Sequence, residues 1–277
     1  MKNKKIDASI VISFYNNTQA LSCIIRALEC QNNNFEVIIA DDGSENDKIS
    51  EVLNIIKNSP LSIQHIWQSD NGFRKNRILN KAIKASRSDY IIFIDGDCTP
   101  QRHFVQDHLK NREVGTVLNG RRVDLASSFK NKLYETPKPE SFFENNKLEI
   151  FSKYLIGHGK NIEKGIRIKS SILSNLLNRK NKGIVGCNFS LYKKDLININ
   201  GFDNRYEVPG VGEDSDIEYR LKKSGVRVKN IFYQAVILHL MHPELTRVKL
   251  AQELLNDTIE KQQIVALNGY LQADDVK

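Results

Sequence analysis

The sequence predicts an α/β fold with a mostly parallel sheet that is flanked by helices on both faces. Short apolar runs alternate with stretches of helical periodicity, which is the pattern of parallel strands joined by right-handed helical crossovers. The clearest run, 90–94, is too short for an ordinary helix and lies between turn formers, so it is typical of a strand buried on both faces. Several runs end in polar side chains, which places those groups at one edge of the sheet.

The N-terminal part of the chain contains the regular alternation. Apolar runs predict strands at 8–15, 35–40, 62–67 and 90–94. Helical spacing of apolar residues predicts helices at 18–30, 46–57 and 74–86, and Thr18 is the expected N-cap of the first helix.

Beyond residue 100 the alternation is less regular, and the chain divides into four predicted parts. A helix at 103–112 and a strand at 114–120 complete the first part, 1–125. The lysine- and asparagine-rich stretch 126–182 predicts an inserted helical subregion, a lid or acceptor region, with helices at 141–154 and 170–177. The third part, 183–243, contains strands at 186–192, 226–232 and 235–240, a short helix at 193–197 and a helix that begins at Glu213 and stops at Gly225. The fourth part, 244–277, is a helix at 245–263 followed by a tail.

Composition excludes several classes of protein. The chain has 277 residues and a formal net charge of +8, and no apolar window is long enough for a membrane helix. The N-terminus lacks the apolar segment of a signal peptide, so we expect a cytoplasmic protein. Its four cysteines are scattered without a CxxC pair, which argues against zinc and redox sites. Positive charge attracts anions in general, but the spread lysines without interleaved aromatics argue against nucleic acid.

The predicted strand ends carry the candidate site. The polar groups there are Ser13, Tyr15, Asn16, Asp41, Asp42, Asp95 and Asp97. They suit a nucleotide pocket that lacks a glycine-rich phosphate loop, because neither GxGxxG nor GxxxxGK[ST] occurs. Asp95 and Asp97, with Gly96 allowing close approach, suit a hard divalent cation that bridges to a phosphorylated ligand. Each motif alone has an ordinary explanation, since Asp-Gly pairs are common in turns and acidic residues favour helix N-termini.

Two further motifs lie in the third part of the chain. Glu213 and Asp214 begin a helix, where capping is the alternative explanation. His239 lies near the end of a strand, where it is either a metal ligand or a core histidine, and His242 follows it closely.

The order of these motifs resembles inverting family 2 glycosyltransferases of the GT-A (Rossmann-like) fold. The resemblance rests on Ile-Val-Ile-Ser-Phe-Tyr-Asn, Asp-Asp-Gly-Ser, Asp95-Gly96-Asp97, Gly212-Glu213-Asp214 and His239, and it covers about residues 7–125 and 183–243. The stretch from Gly201 to Leu221 is similar to the galactosyltransferase-type half of chondroitin-polymerase and β-1,4-galactosyltransferase relatives. The insertion at 126–182 has no counterpart in the resemblance.

The resemblance implies roles for individual residues. The nucleotide-sugar site would contain Ser13, Tyr15, Asn16, Asp42 at the base, Arg74 or Arg77, Asp95 and Gly96. Asp97 and His239, with Asp95 directly or through water, would bind Mn²⁺ or Mg²⁺, and His242 competes with His239 for that role. Asp214 would be the general base, while Glu213 and Gly212 would contact acceptor or donor sugar.

The implied activity is metal-dependent transfer of a sugar, with inversion, from a nucleoside-diphosphate donor that we expect to be a UDP-sugar. The acceptor would be a hydroxyl of a glycan or a lipid-linked sugar in surface polysaccharide synthesis, and the basic chain could associate peripherally with the inner membrane face. Two alternatives remain from other classes: a non-catalytic nucleotide-sugar-binding relative and a metal-dependent nucleotidyltransferase.

Overall fold

The structure, a computed structural model, describes residues 5–179, 182–208, 213–243 and 248–274. Its larger sheet has seven strands in the order β3-β2-β1-β4-β8-β6-β9. These strands are β1 (Ala8–Phe14), β2 (Phe35–Asp41), β3 (Ile63–Trp67), β4 (Tyr90–Asp95), β6 (Thr116–Asn119), β8 (Asn188–Tyr192) and β9 (Arg227–Asn230).

Strand direction in this sheet confirms the predicted mixed, mostly parallel arrangement. β8 runs antiparallel to its neighbours β4 and β6, and the other neighbouring pairs are parallel. The chain leaves β1 toward β2 on one side and reaches β4 on the other, so the sheet has its switch point between β1 and β4. Ser13 and Asp95 are register partners there, and a crevice at such a point is where open α/β sheets bind ligands.

Helices cover both faces of the sheet, as predicted. One apolar core joins the sheet to α1 (Thr18–Glu29), α2 (Asn46–Asn58) and α4 (Phe104–Asn111). A second core, on the opposite face, joins it to α3 (Lys75–Ala85) and α9 (Glu213–Lys223), with α8 (Lys193–Asn198) following β8.

The start of α1 corrects one prediction. Asn17, not Thr18, is the N-cap, and its side-chain oxygen accepts a hydrogen bond from the Ala20 N–H at 3.2 Å. Thr18 is the first helical residue, and its hydroxyl donates to Glu51 of α2. An asparagine oxygen caps as well as a threonine hydroxyl, so the two adjacent residues could not be separated by residue type alone.

A second, three-stranded sheet was not predicted. It consists of β5 (Cys98–Pro100), β10 (Ile237–Leu240) and β7 (Arg122–Leu125), in that order. Strands of three or four residues are too short to show a period-2 pattern, so only β10 was evident from the sequence. In this sheet His239 is the register partner of both Cys98 and Asp124, which brings three distant segments together.

The described part of the segment 126–182 contains several helices, and residues between 126 and 162 pack on the second sheet. It contains α5 (Lys130–Glu135), α6 (Phe142–Leu155) and α7 (Ser171–Leu177), with short 3-10 turns between them. Phe129, Phe142 and Phe143 share an apolar cluster with Leu238 of β10. The four-part division of the chain itself stays a prediction.

The last helix, α10, spans Lys249–Glu260. This is shorter than the predicted 245–263, whose first residues up to 247 lie outside the described part of the chain. No helix among the described residues is both long enough and apolar enough to cross a membrane.

Candidate functional site

One carboxylate and two imidazoles meet where the second sheet adjoins the end of β4. Asp97 Oδ2 lies 3.3 Å from His239 Nε2 and 3.2 Å from His242 Nε2. One ligand atom from each of the three residues lies within 4.8 Å of the others, which is close enough to hold one ion. The sequence left His239 and His242 as competitors, whereas the structure brings both to Asp97.

Asp124 orients the buried imidazole of His239. Its Oδ1 lies 2.8 Å from His239 Nδ1 and also accepts from Arg122 Nε at 2.8 Å. A carboxylate at Nδ1 favours a proton on that nitrogen, so Nε2, which points toward Asp97, is the nitrogen that a metal ion would bind after displacing its proton. Carboxylate–histidine pairs of this kind support metal-ligating histidines in many proteins.

The charges of the cluster fit a cation. Burial raises the pKa of Asp97, but hydrogen bonds from His239 and His242 outweigh burial and hold it well below its usual value. The contact with Asp97 and the Pro243 carbonyl raise the pKa of His242 to about 9. Burial lowers the pKa of His239, and hydrogen bonds with Asp124 and Asp97 raise it above its usual value overall. A site that draws protons onto two imidazoles also attracts a divalent cation, which would replace those protons.

The donor set distinguishes among cations. Two imidazole nitrogens and one carboxylate oxygen suit a first-row transition metal such as Mn²⁺ better than Mg²⁺, which prefers oxygen ligands. Asp95, the other acidic residue predicted at this turn, is not part of this three-residue cluster and lies beside a different cavity.

That cavity, of about 390 Å³, opens at the ends of β1 and β2 and forms the candidate nucleotide pocket. Its lining includes Ser13, Tyr15, Asp42, Asp70, Phe73 and Lys75. Asp95 lies beside it, accepting from Ser13 Oγ at 2.8 Å and pairing with Lys75 Nζ at 3.0 Å. The exposed ring of Tyr15 is held by its hydroxyl, which donates to Asp70 Oδ2 at 3.1 Å.

Asp42 lines the pocket with its carboxylate fixed by neighbours. It accepts from Gln68 Nε2 at 2.6 Å and from the Arg74 N–H at 2.8 Å. Burial raises the pKa of Asp42, and these two hydrogen bonds only partly offset that effect.

The two arginines considered for binding the diphosphate or the base have different surroundings. Arg74 directs Nη2 to the Ser69 carbonyl, and Arg77 is buried within α3. Lys75 lies between them in sequence, and it is the one basic residue among the described residues that line the pocket.

Asn16 and Gly96 shape the loops of this site. Asn16 has a positive φ of 56° and joins two strand ends, because its N–H donates to Ser44 Oγ and its Oδ1 accepts from the Glu45 N–H. At Gly96 a Cβ would lie 2.6 Å from the Ser13 carbonyl oxygen, so the turn between Asp95 and Asp97 requires glycine.

Asp214 lies in the first turn of α9 and faces the start of β8. Its Oδ2 accepts from the Gly186 N–H at 2.8 Å. Burial raises its pKa, Lys75 and the Gly186 N–H oppose the rise, and Asp95 adds to it. Asp214 therefore feels the charges of Lys75, which lines the candidate nucleotide pocket, and of Asp95, which pairs with Lys75. Gly212 lies outside the described residues, and of Glu213 only the backbone is described.

Four residues of this arrangement were not assigned to the site from the sequence: Asp70, Lys75, Arg122 and Asp124. Asp70 lies just before an Asn-Gly turn, and Lys75 lies in the first turn of a predicted helix. Their charges, shortly after a predicted strand, were the only features of the sequence that could have indicated a role in the site. Asp124 gave no signal, because it reaches His239 only through the unpredicted pairing of β7 with β10.

Family models match most of the chain. A model described as glycosyl transferase family 2 matches residues 9–196. A second, described as the N-terminal domain of galactosyltransferase, matches residues 169–243.

Individual relatives agree with these models. Chondroitin synthase of Pasteurella multocida (strain Pm70) is 28% identical over 233 residues, covering 80% of this chain and 24% of the synthase. Chondroitin synthase of Escherichia coli is 27% identical over 231 residues, covering 80% of this chain and 33% of the synthase. The chain therefore spans a third or less of the length of these relatives. The uncharacterized glycosyltransferase YfnE of Bacillus subtilis is 25% identical and covers 85% of the chain and 65% of its own length.

Solved structures share the fold. The mannosyltransferase PcManGT from Pyrobaculum calidifontis, in complex with GDP-Man and Mn²⁺, superposes with a TM-score of 0.56 at 14% identity, covering 86% of this chain and 57% of that one. TarS of S. aureus gives 0.52 at 15% identity, covering 87% and 37%. The predicted GT-A architecture is confirmed, and the chain belongs to glycosyl transferase family 2, with a galactosyltransferase-type segment in its second half.

Proposed function

We propose that the chain carries out metal-dependent, inverting transfer of a sugar from a UDP-sugar to a hydroxyl group. The observation that carries the proposal is the turn 95–97, which connects two sites. Asp95 borders the nucleotide pocket through Ser13 and Lys75, while Asp97, two residues later, meets both histidines. A ligand with a nucleoside at one end and phosphates at the other fits this pair of sites.

The pocket suits the uridine end of such a donor. The exposed ring of Tyr15 offers a face on which a base can stack. The Asp42 carboxylate can accept the N–H of uracil, and Asp95 can accept from a ribose hydroxyl. Ser13 and Lys75 hold Asp95 in place for that contact.

Asp97, His239 and His242 would hold the divalent cation, Mn²⁺ in preference to Mg²⁺. When bound, this cation supplies neutralisation of the charge that grows on the departing diphosphate. Asp124 keeps the Nε2 of His239 available for that role by accepting from Nδ1.

Asp214 is the proposed general base. Its pKa is raised by burial, which makes the carboxylate a stronger proton acceptor, and the Gly186 N–H fixes its orientation. It takes the proton of the acceptor hydroxyl as that oxygen attacks the anomeric carbon from the face opposite the leaving group. A single displacement of this kind inverts the anomeric centre.

The acceptor is proposed to be a growing glycan or a lipid-linked sugar in surface polysaccharide synthesis. The support is the similarity to two chondroitin synthases, which are polymer-forming enzymes by name.

We infer further that the protein works peripherally on the cytoplasmic face of an anionic membrane. Four apolar side chains of α7 are exposed: Ile172, Leu173, Leu176 and Leu177. Lys169 and Arg179 flank this helix, and the chain carries a net charge of +8. An apolar helix face with basic neighbours fits the interfacial region of an anionic bilayer.

The test of the activity is a thermal-shift screen of nucleotide-sugars with and without Mn²⁺, followed by product analysis with the stabilising donor. We expect one UDP-sugar to stabilise the protein only when metal is present. We also expect this donor to transfer its sugar to a sugar acceptor with inversion at the anomeric carbon. Metal-dependent binding without any transfer would favour the non-catalytic alternative. Release of pyrophosphate from a nucleoside triphosphate would favour a nucleotidyltransferase.

A further inference from the structure

A second cavity adjoins the metal-ligand cluster where the inserted segment meets α1. It has a volume of about 320 Å³. Its lining combines Asp97 and His242 with Asn17 at the start of α1, with Leu240 and Met241, and with three residues of the insertion: Ser127, Lys130 and Tyr134. The insertion, whose role the sequence did not reveal, therefore contributes side chains directly beside the proposed cation site.

The part of the insertion that lines this cavity is firmly attached to α1. Arg26 donates through Nη1 to the Thr136 carbonyl at 2.5 Å and through Nη2 to the Tyr134 carbonyl at 2.6 Å. Leu133 is buried, and Cys23 Sγ contacts its carbonyl oxygen at 3.6 Å. Because both helices are fixed to each other here, Lys130 and Tyr134 keep their place beside Asp97.

The insertion residues that line the cavity are donors that suit an anion. Lys130 is exposed, and it forms no ion pair or hydrogen bond with another residue in the described ranges. Burial raises the pKa of Tyr134 to about 12, and a hydrogen bond with Asn17 only partly offsets this, so its hydroxyl keeps its proton. Ser127 adds a second hydroxyl. An ammonium and two hydroxyl groups around one space match the oxygens of a phosphate.

We propose that Lys130 binds the terminal phosphate of the nucleoside diphosphate, with Tyr134 donating a hydrogen bond to the same group. The inference rests on the proposed function, since it concerns the end of the donor that meets Asp97, His239 and His242. A nucleoside diphosphate leaves with more negative charge than one divalent cation cancels, particularly as Asp97 itself carries a negative charge. Lys130 supplies additional positive charge from the cavity that it lines together with Asp97 and His242.

The experiment compares affinities for UDP and UMP in Mn²⁺ by titration calorimetry. A hydrogen bond to a charged group is worth about 1.5–3 kcal/mol, so Lys130→Gln should weaken UDP binding about 10-fold or more. UMP lacks the terminal phosphate, and its affinity should change less than about twofold. Tyr134→Phe should weaken UDP binding by a smaller factor, again without affecting UMP.

Lys132→Gln is the matched control. Lys132 lies on the same short helix but pairs with Glu149 at 2.5 Å, so this variant should bind UDP as the wild type does. The assignment would be overturned if Lys130→Gln left the affinity for UDP unchanged or lowered the affinities for UDP and UMP equally. It would also be overturned if this variant raised only the KM for the acceptor. If the wild type itself binds no UDP in Mn²⁺, the proposed function fails instead, so the two failures are distinguishable.

Discussion

Asp124 controls which nitrogen of His239 faces Asp97. Asp124→Ala removes the acceptor at Nδ1, so the imidazole loses both its fixed tautomer and its orientation. Loss of such an outer partner typically costs about 10–100-fold in metal affinity, and we expect that loss for Mn²⁺ binding measured by calorimetry. Asp124→Asn keeps an oxygen acceptor and should lose less. Equal Mn²⁺ affinity in the wild type and both variants would contradict this role.

Asp214 is the residue on which turnover should depend. Asp214→Asn keeps an oxygen that can accept from the Gly186 N–H, so the local structure should survive. The amide cannot take a proton, and kcat should fall by about 10²-fold or more, the usual range for loss of a general base. Donor affinity, measured separately by calorimetry, should stay within about twofold. Near wild-type turnover in this variant would rule out Asp214 as the base.

Single residues differed in how far the sequence could predict them. Asp95 and Asp97 were predicted because a strongly apolar run ends on them, and position at a strand end is a local property. Lys75 and Asp124 were not, because nothing in their neighbouring residues distinguishes them from ordinary surface charges. Their significance comes from contacts with Asp95 and His239, which lie far away in sequence.

At the scale of elements, length determined what could be predicted. The long strands of the first sheet, such as β2 with seven residues, have enough apolar residues to be evident. β5 and β7 have three and four residues and exist through their pairing with β10. The candidate metal cluster depends on these short strands, so its ligands were predictable while its assembly was not.

α4 and β8 are joined by a buried histidine that makes stability depend on pH. His108 Nδ1 lies 2.7 Å from Ser190 Oγ, and Nε2 lies 3.1 Å from Asn188 Oδ1. Burial lowers the pKa of His108 to about 4, although the hydrogen bond with Asn188 opposes the shift. The unfolded chain, with a histidine pKa near 6.5, binds this proton more readily than the folded chain does. Stability from this group is therefore complete above about pH 6.5 and is lost as the pH falls toward 4.

The size of that effect can be measured with His108→Gln. Lowering the pKa by about two units or more corresponds to about 3 kcal/mol of unfolding free energy lost across this interval. We expect urea unfolding of the wild type to lose stability more steeply between pH 6.5 and 4 than unfolding of His108→Gln, even if the variant is less stable at pH 7. Parallel pH profiles for the two proteins would contradict a buried, neutral His108.

At the scale of the whole molecule, the two sheets contribute different parts of the candidate site. The large sheet borders the candidate nucleotide pocket with the ends of β1 and β2, and the small sheet brings His239 and Asp124 together next to Asp97. The overall class followed from the sequence because alternation of strands and helices limits the topologies available. The placement of the insertion did not, since its contacts with α1 and β10 join segments that share no local pattern.

The exposed face of α7 should govern association of the whole protein with membranes. Wild-type protein should sediment with anionic phospholipid vesicles at low salt, and less so as salt screens the attraction between its basic residues and the lipid. Replacing Ile172 and Leu176 together with glutamate should abolish sedimentation, because the change removes apolar area and adds like charge at an exposed site without disturbing the core. Leu53→Glu is the control, since Leu53 is an exposed apolar residue on α2, outside the insertion. Wild-type protein that stays in the supernatant at low salt, or a double variant that sediments as fully as the wild type, would show that this helix face meets something other than lipid.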